Sequence, residues 1–253
     1  MIRFFVVILV LLIAAIASLA FLPLGTALRY SGISSTGAEW SGAVGSVLSG
    51  RLEGLKYKGT TYGDADLELD ANALLTGKLQ YAVAWSGDHG IGNGKVSFER
   101  GPAITLKDYV ITLDLLEYEK TARWLQQSGG KVKLAGPSIR FAGNKCAEAV
   151  GVATSDVLDL NRDVLGSGWS DLRGDISCDE GKLVIPLQSE NAAGTRFAAL
   201  LRVAPGAPGK FEVRISGRIS RALGFALPLA GFTRSGDGFV FVPKARVTAN
   251  AAP

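Results

Sequence analysis

From Phe4 to Leu28 the chain carries no charged side chain, and Phe4–Leu22 is almost wholly apolar (FFVVILVLLIAAIASLAFL). As a helix rising about 1.5 Å per residue, this run spans roughly 28 Å, close to the hydrocarbon thickness of a bilayer. The remainder of the chain is polar enough for water. The sequence therefore predicts a membrane helix within residues 1–28 and one globular body over residues 29–253. Phe4, Leu9, Leu12, Ile16 and Phe21 are the anchor side chains. Arg3 supplies a basic start and keeps the amino terminus cytoplasmic, so the body faces outward. A cleaved signal peptide, cut after Ser18-Leu19-Ala20, is the alternative, but its apolar core is ordinarily shorter than this run. Either way the body is exported.

Charge adds little to that picture. The chain holds 27 Lys and Arg against 23 Asp and Glu, a formal net charge of +4. The charges are interspersed rather than blocked, which describes a solvated surface and not a nucleic-acid patch. The body is long enough for one sizeable core or two small ones. Its 2 cysteines are Cys146 and Cys178. In an oxidising compartment such as the periplasm, an isolated pair is most simply a disulfide, with two buried free thiols as the alternative. In the chain-entropy model that bridge contributes about 3–4 kcal/mol.

The body itself reads as mainly β. Period-2 alternation recurs in Leu67–Asp70, Leu79–Val83, Lys131–Leu134, Ser138–Phe141, Leu183–Leu187 and Phe211–Ile215. Glycines bound these runs at Gly59, Gly77, Gly101, Gly130, Gly181 and Gly209, and 32 glycines against 9 prolines suit many turns between many strands. One buried and one wet face implies an antiparallel sheet. Two or three short helices interrupt it. Asp114–Gln127 places Leu115, Tyr118, Ala122 and Leu125 on one face, with Asp114 as cap and Gly129-Gly130 as stop. Ser155–Leu165, capped by Asp156, and Ser220–Leu223, ahead of Pro228, are weaker. The first helix divides the strands into two loosely similar halves, 35–127 and 131–253. The likeness is of pattern and is not a sequence repeat.

No catalytic constellation emerges. His89, the 1 histidine, sits in the glycine-flanked turn Ser86–Gly90 and reads as a surface loop residue. No G-x-S-x-G elbow accompanies it. Two cysteines and one histidine lack zinc-ligand spacing. Gly90-Ile91-Gly92-Asn93-Gly94 has neither a following Lys-Ser/Thr nor a helix, so it reads as a hairpin turn and not a phosphate cradle. Asp64/Asp66 and Asp179/Glu180 fall on a strand face or turn tip and read as solubilising charges. Trp40, Trp85, Trp124 and Trp169 read as core aromatics, any of which at a rim becomes an interface anchor. No cofactor, metal or small-molecule ligand is expected.

Three clusters carry a family likeness: Glu39-Trp40-Ser41-Gly42, then Leu52 with Gly54-Leu55, then Ala73-Leu74-Leu75-Thr76-Gly77-Lys78-Leu79. Their order after an amino-terminal anchor resembles type II secretion system protein N, the general secretion pathway protein N family. There a W-S-G turn precedes a strand with a G-x-L step, and a leu-leu-x-gly-x-leu element leads into the next strand. Trp40, Gly42, Leu75, Gly77 and Leu79 are the matching positions here. Gly174–Leu183, Pro186-Leu187 and Cys146 are similar to the carboxy-terminal half. Lys56-Tyr57-Lys58 departs from the pattern by being more polar.

The resemblance implies a non-enzymatic accessory component of type II secretion. It implies a single-pass bacterial inner-membrane protein with a periplasmic body, whose partners are other secretion components. Sheet edges offer unpaired backbone groups to such partners. The alternative is an AsmA-like β-groove that binds or carries lipid, its apolar lining supplied by Leu67, Leu69, Leu79, Tyr81, Val83, Val96, Phe98, Ile104 and Leu106. The two separate on whether those side chains meet a facing layer or line an open trough.

Overall fold

Alternating apolar and polar residues form ladders of antiparallel strands throughout the computed structural model. It describes residues 21–30, 37–57, 59–99, 103–115, 129–165, 168–204 and 209–242. The chain falls into two compact units, residues 1–111 and 112–253. The expected Asp114–Gln127 helix lies outside the described residues from position 116 on, and Asp114 itself ends a strand. The expected anchor segment, residues 1–28, also lies outside them, except for residues 21–28. Among the described residues no helix is long and apolar enough to cross a membrane.

The first unit holds β1 (Ala38–Glu39), β2 (Gly42–Gly45), β3 (Ser49–Tyr57), β4 (Thr60–Leu69), β5 (Leu79–Gly87), β6 (Gly90–Phe98) and β7 (Ala103–Asp114), which runs just past its boundary. They lie in the order β1-β3-β4-β5-β6-β7, with β2 also on β3. Helix α1 (Leu24–Tyr30) packs on this sheet. Leu24 is buried with Leu52 and Ala65, and Leu28, Trp40, Ala43 and Leu67 pack around them. Leu24 and Leu28, expected within the anchor segment, thus serve the core of the body. Pro23 forms an isolated bridge with Ser46.

Gly90–Gly94 is strand, not turn. The hairpin turns at Asp88-His89, and Gly87 pairs with Gly90. Gly92 and Gly94 sit under neighbouring side chains. A Cβ would lie 3.1 Å from the Trp85 ring at Gly92 and 3.0 Å from Leu106 at Gly94. Large residues on adjacent strands fill the space these glycines leave, a role that local sequence does not reveal.

The second unit holds β8 (Lys131–Ala142), β9 (Lys145–Ser155), β10 (Leu172–Asp179), β11 (Lys182–Glu190), β12 (Thr195–Val203), β13 (Lys210–Gly217), β14 (Thr233–Ser235) and β15 (Gly238–Phe241). They neighbour one another in chain order as far as β13, then β15 and β14. One face is the core, where Leu187, Ala199 and Val213 stand opposite one another and are buried. On the wet face Arg173, Gln188, Ala198 and Arg214 share a row. Helices α3 (Val157–Leu160), α4 (Arg162–Leu165) and α5 (Arg221–Leu229) complete the core with buried Val157, Leu158, Leu165, Leu223 and Leu227.

The predicted Ser155–Leu165 helix is thus two short turns. Asp156 makes no side-chain cap; its Oδ1 accepts the Lys131 N–H at 2.6 Å instead. Helix α5 runs past its predicted end through Pro228, which sits in the last turn and removes one N–H to i−4 carbonyl bond there. Ser220 caps its start, accepting the Leu223 N–H at 3.2 Å.

Cys146 and Cys178 are disulfide-bonded, with Cα atoms 5.6 Å apart, and tie β9 to β10. Cys146 is buried.

Candidate functional surfaces

The first family-motif cluster is a corner built around one bulge. Ser41 donates from both its backbone N and its Oγ to the Glu53 carbonyl, each at 2.9 Å. That clamp holds β3 where its register shifts between Leu52 and Leu55. Gly54 there has φ +57, and a Cβ would lie 2.4 Å from Ser41 Oγ. Asp64 on β4 accepts the Gly54 N–H at 3.0 Å and meets Arg51 Nη2 at 2.8 Å. Gly42 is held equally close, its Cβ position 2.7 Å from a Glu53 carboxylate oxygen. Trp40 packs onto the core beneath. These residues set the geometry of the corner.

The second cluster is a helix and its exit. Helix α2 (Ala71–Leu75) is capped by Asp70, which accepts from the Asn72 and Ala73 N–H groups. Gly77, at φ +76, takes the left-handed turn that returns the chain into β5. The turn leaves Leu75 87% exposed, with Leu74 and Leu79 also exposed. Leu79 stands opposite Phe98. The Glu99 N–H to Ala103 carbonyl bond aligns Phe98 with Ile104 across β6 and β7. Phe98 and Ile104 are exposed as well, so this unit carries an exposed apolar row of Leu79, Phe98 and Ile104, with Leu74 and Leu75 exposed on the helix that leads into it.

A charged trough of about 700 Å³ occupies the opposite, polar face of the same unit. Its floor is Ala82 and Ala84 on β5, which face Glu68 and Asp66 on β4 and Lys95 and Asn93 on β6. Arg51 pairs with Asp64 at 2.8 Å and Asp66 at 3.5 Å on one wall. Lys95 pairs with Asp108 at 3.5 Å on the other. Asp108 adopts φ 48, a left-handed conformation that Asp tolerates better than most residues. Bonds from Arg51 and from the Gly54 N–H hold the Asp64 carboxyl below the usual carboxylate range. The N–H groups of Ala73 and Asn72 do the same for Asp70, against the opposing effect of burial. Asp64 and Asp66 are therefore one half of an ion-paired wall and not an acid/base couple. Sequence shows the two carboxylates; Arg51 joins them only through register.

The remaining candidates serve structure. The Trp85 indole donates to the Tyr62 carbonyl, and the Trp169 indole to the Leu165 carbonyl. Both are half-buried. Trp124 lies outside the described residues. His89 is half-buried rather than a free loop residue, edge-on to the Tyr62 ring at 6.1 Å. Glu180 and Gly181, both at positive φ, form the tight β10–β11 turn, with Lys182 paired to Glu180 at 3.5 Å. Of the anchor residues, Phe21 alone is described, and it is 84% exposed. Among the described residues no group of His, Cys, Asp and Glu is placed to hold a metal ion.

The family model for type II secretion system protein N matches residues 36–242. The chain belongs to that family. The match spans both motif clusters, the trough, the disulfide and helix α5, so a member of this family builds its body from the two β units described here. No curated protein and no solved structure matches the chain.

Proposed function

We propose that this chain is a non-enzymatic accessory component of type II protein secretion. Residues 4–22 hold it in the bacterial inner membrane, and its β body lies in the periplasm and docks on other components of the machine. The family match over residues 36–242 carries the reading. The uncharged run Phe4–Leu28 supports the anchor. The exposed apolar residues Leu74, Leu75, Leu79, Phe98 and Ile104 support docking, because exposed apolar surface on a water-facing body marks an interaction surface. Docking by strand addition has less to work with. The outer strands β1, β2 and β14 are 2, 4 and 3 residues long, which offers few ladder bonds.

In-cell photo-crosslinking from Leu75 and Phe98 in the full chain tests this. Adducts with secretion components are the expected result. Their absence at both positions, with adducts only from the wet face of the second unit, sinks docking through these residues.

A second reading rests on one observation. Register places Leu69 opposite Tyr81, Tyr81 opposite Val96 and Leu79 opposite Phe98, on one face of the first unit. None of these is fully buried. That is the lining an AsmA-like lipid groove requires. Mass spectrometry of the gently extracted protein separates the two, since a groove retains about one or more lipids per chain.

A further inference from the structure

Helix α5 is apolar on both sides. Leu223 and Leu227 are 5% and 2% exposed and lock one side into the second unit. The other side carries Arg221, Ala222, Phe225, Pro228 and Leu229, all exposed, at the spacing of a single helical stripe. Phe225 and Leu229, one turn apart, are 76% and 78% exposed. A solvent-facing helix side would ordinarily be polar. Here its only charge is Arg221, at the amino-terminal end.

Two further cations lie on segments next to the helix. Arg218 precedes the helix, and Arg234 lies on β14, which the helix contacts; both are exposed. From Val213 to Gly236 the sequence contains no Asp or Glu. An apolar stripe that carries one arginine and no acid of its own, with two more arginines nearby, complements a surface that is anionic outside and hydrocarbon beneath. A protein groove would need acidic rim residues in matching positions. A bilayer supplies both features without a fitted shape.

We propose that the exposed stripe of α5 is a second membrane contact, lying in the interface of an anionic lipid bilayer. Phe225 and Leu229 enter the acyl boundary, and Arg218, Arg221 and Arg234 meet lipid phosphates. The contact adds to the proposed amino-terminal anchor and turns a tethered body into one held by two points. It belongs to the second unit alone and needs nothing from the trough or the exposed apolar row of the first.

The test uses the full chain reconstituted into vesicles of phosphatidylcholine alone or mixed with phosphatidylglycerol. A nitroxide is placed at Phe225→Cys, with Gln188→Cys on the wet face of the same unit as control. In mixed vesicles the label at 225 becomes shielded from a water-soluble nickel chelate and open to oxygen, while 188 stays open to the chelate. Replacing Arg218, Arg221 and Arg234 by Gln weakens the shielded state about fivefold per charge at low salt. A label at 225 that stays open to the chelate in mixed vesicles overturns the proposal. So does a label at 225 shielded from both the chelate and oxygen, which means a protein or a second copy covers the helix. Flotation reports the anchor separately. A chain that floats with both lipids but keeps 225 wet loses only this contact. A chain that floats with anionic vesicles alone loses the anchor and keeps the contact, and one that never floats loses both.

Discussion

Asp64 binds Arg51 at 2.8 Å with one carboxylate oxygen and the Gly54 N–H at 3.0 Å with the other. One side chain thus joins the charged wall of the trough to the bulge that the Trp40-Ser41-Gly42 corner clamps.

That double use makes the first unit sensitive to acid. The Asp64 and Asp70 carboxyls are held below their unfolded range, so their contribution to stability is complete above that range and is lost as pH falls through the lower folded values. Urea midpoints should be flat near neutrality and drop below about pH 4. Asp64→Asn should lower the neutral midpoint and flatten the acid limb, and an unchanged acid limb would disprove the assignment.

Gly174 has no room for a side chain. A Cβ would lie 1.5 Å from the Pro186 carbonyl oxygen on the neighbouring strand. Gly174→Ala must push β10 and β11 apart and should cost about 3 kcal/mol or more in chemical denaturation. Gly59, at φ +82 with open space around it, should lose only about 1 kcal/mol on the same change, from backbone conformation alone.

The Cys146–Cys178 bridge spans 32 residues, including α3 and α4. Replacing both cysteines by Ala should lower stability by about 3–4 kcal/mol, and reductant should bring the native chain to the same denaturation midpoint as the variant.

The two sides of α5 should respond oppositely to truncation in solution. Leu227→Ala removes a buried side chain and should cost about 2–4 kcal/mol. Phe225→Ala should stay within about 0.5 kcal/mol, because the ring contacts water and not the core. A large loss at Phe225 would mean the helix is covered by its own unit, which removes the basis for the bilayer contact.

The alternating runs sufficed to predict an antiparallel, mainly β body, because alternation is a local property that each strand writes into its own residues. Leu79–Val83 and Lys131–Leu134 both form strands where the pattern placed them. The apolar amino-terminal run and the motif clusters were equally local, and the clusters named the family. Which residues stand opposite one another was not local. Gly90–Gly94 reads as a turn until Trp85 and Leu106 are seen above its glycines. Asp156 reads as a helix cap until Lys131 competes for it across 25 positions of sequence. Arg51 and Lys95 gain their carboxylate partners from register alone, and the open side of α5 is distinguished from its buried side only by what the second unit packs against it. Propensity and periodicity are fixed by covalent neighbours, whereas pairing, burial and exposure are fixed by residues far away in the chain, and those only the tertiary structure could bring together.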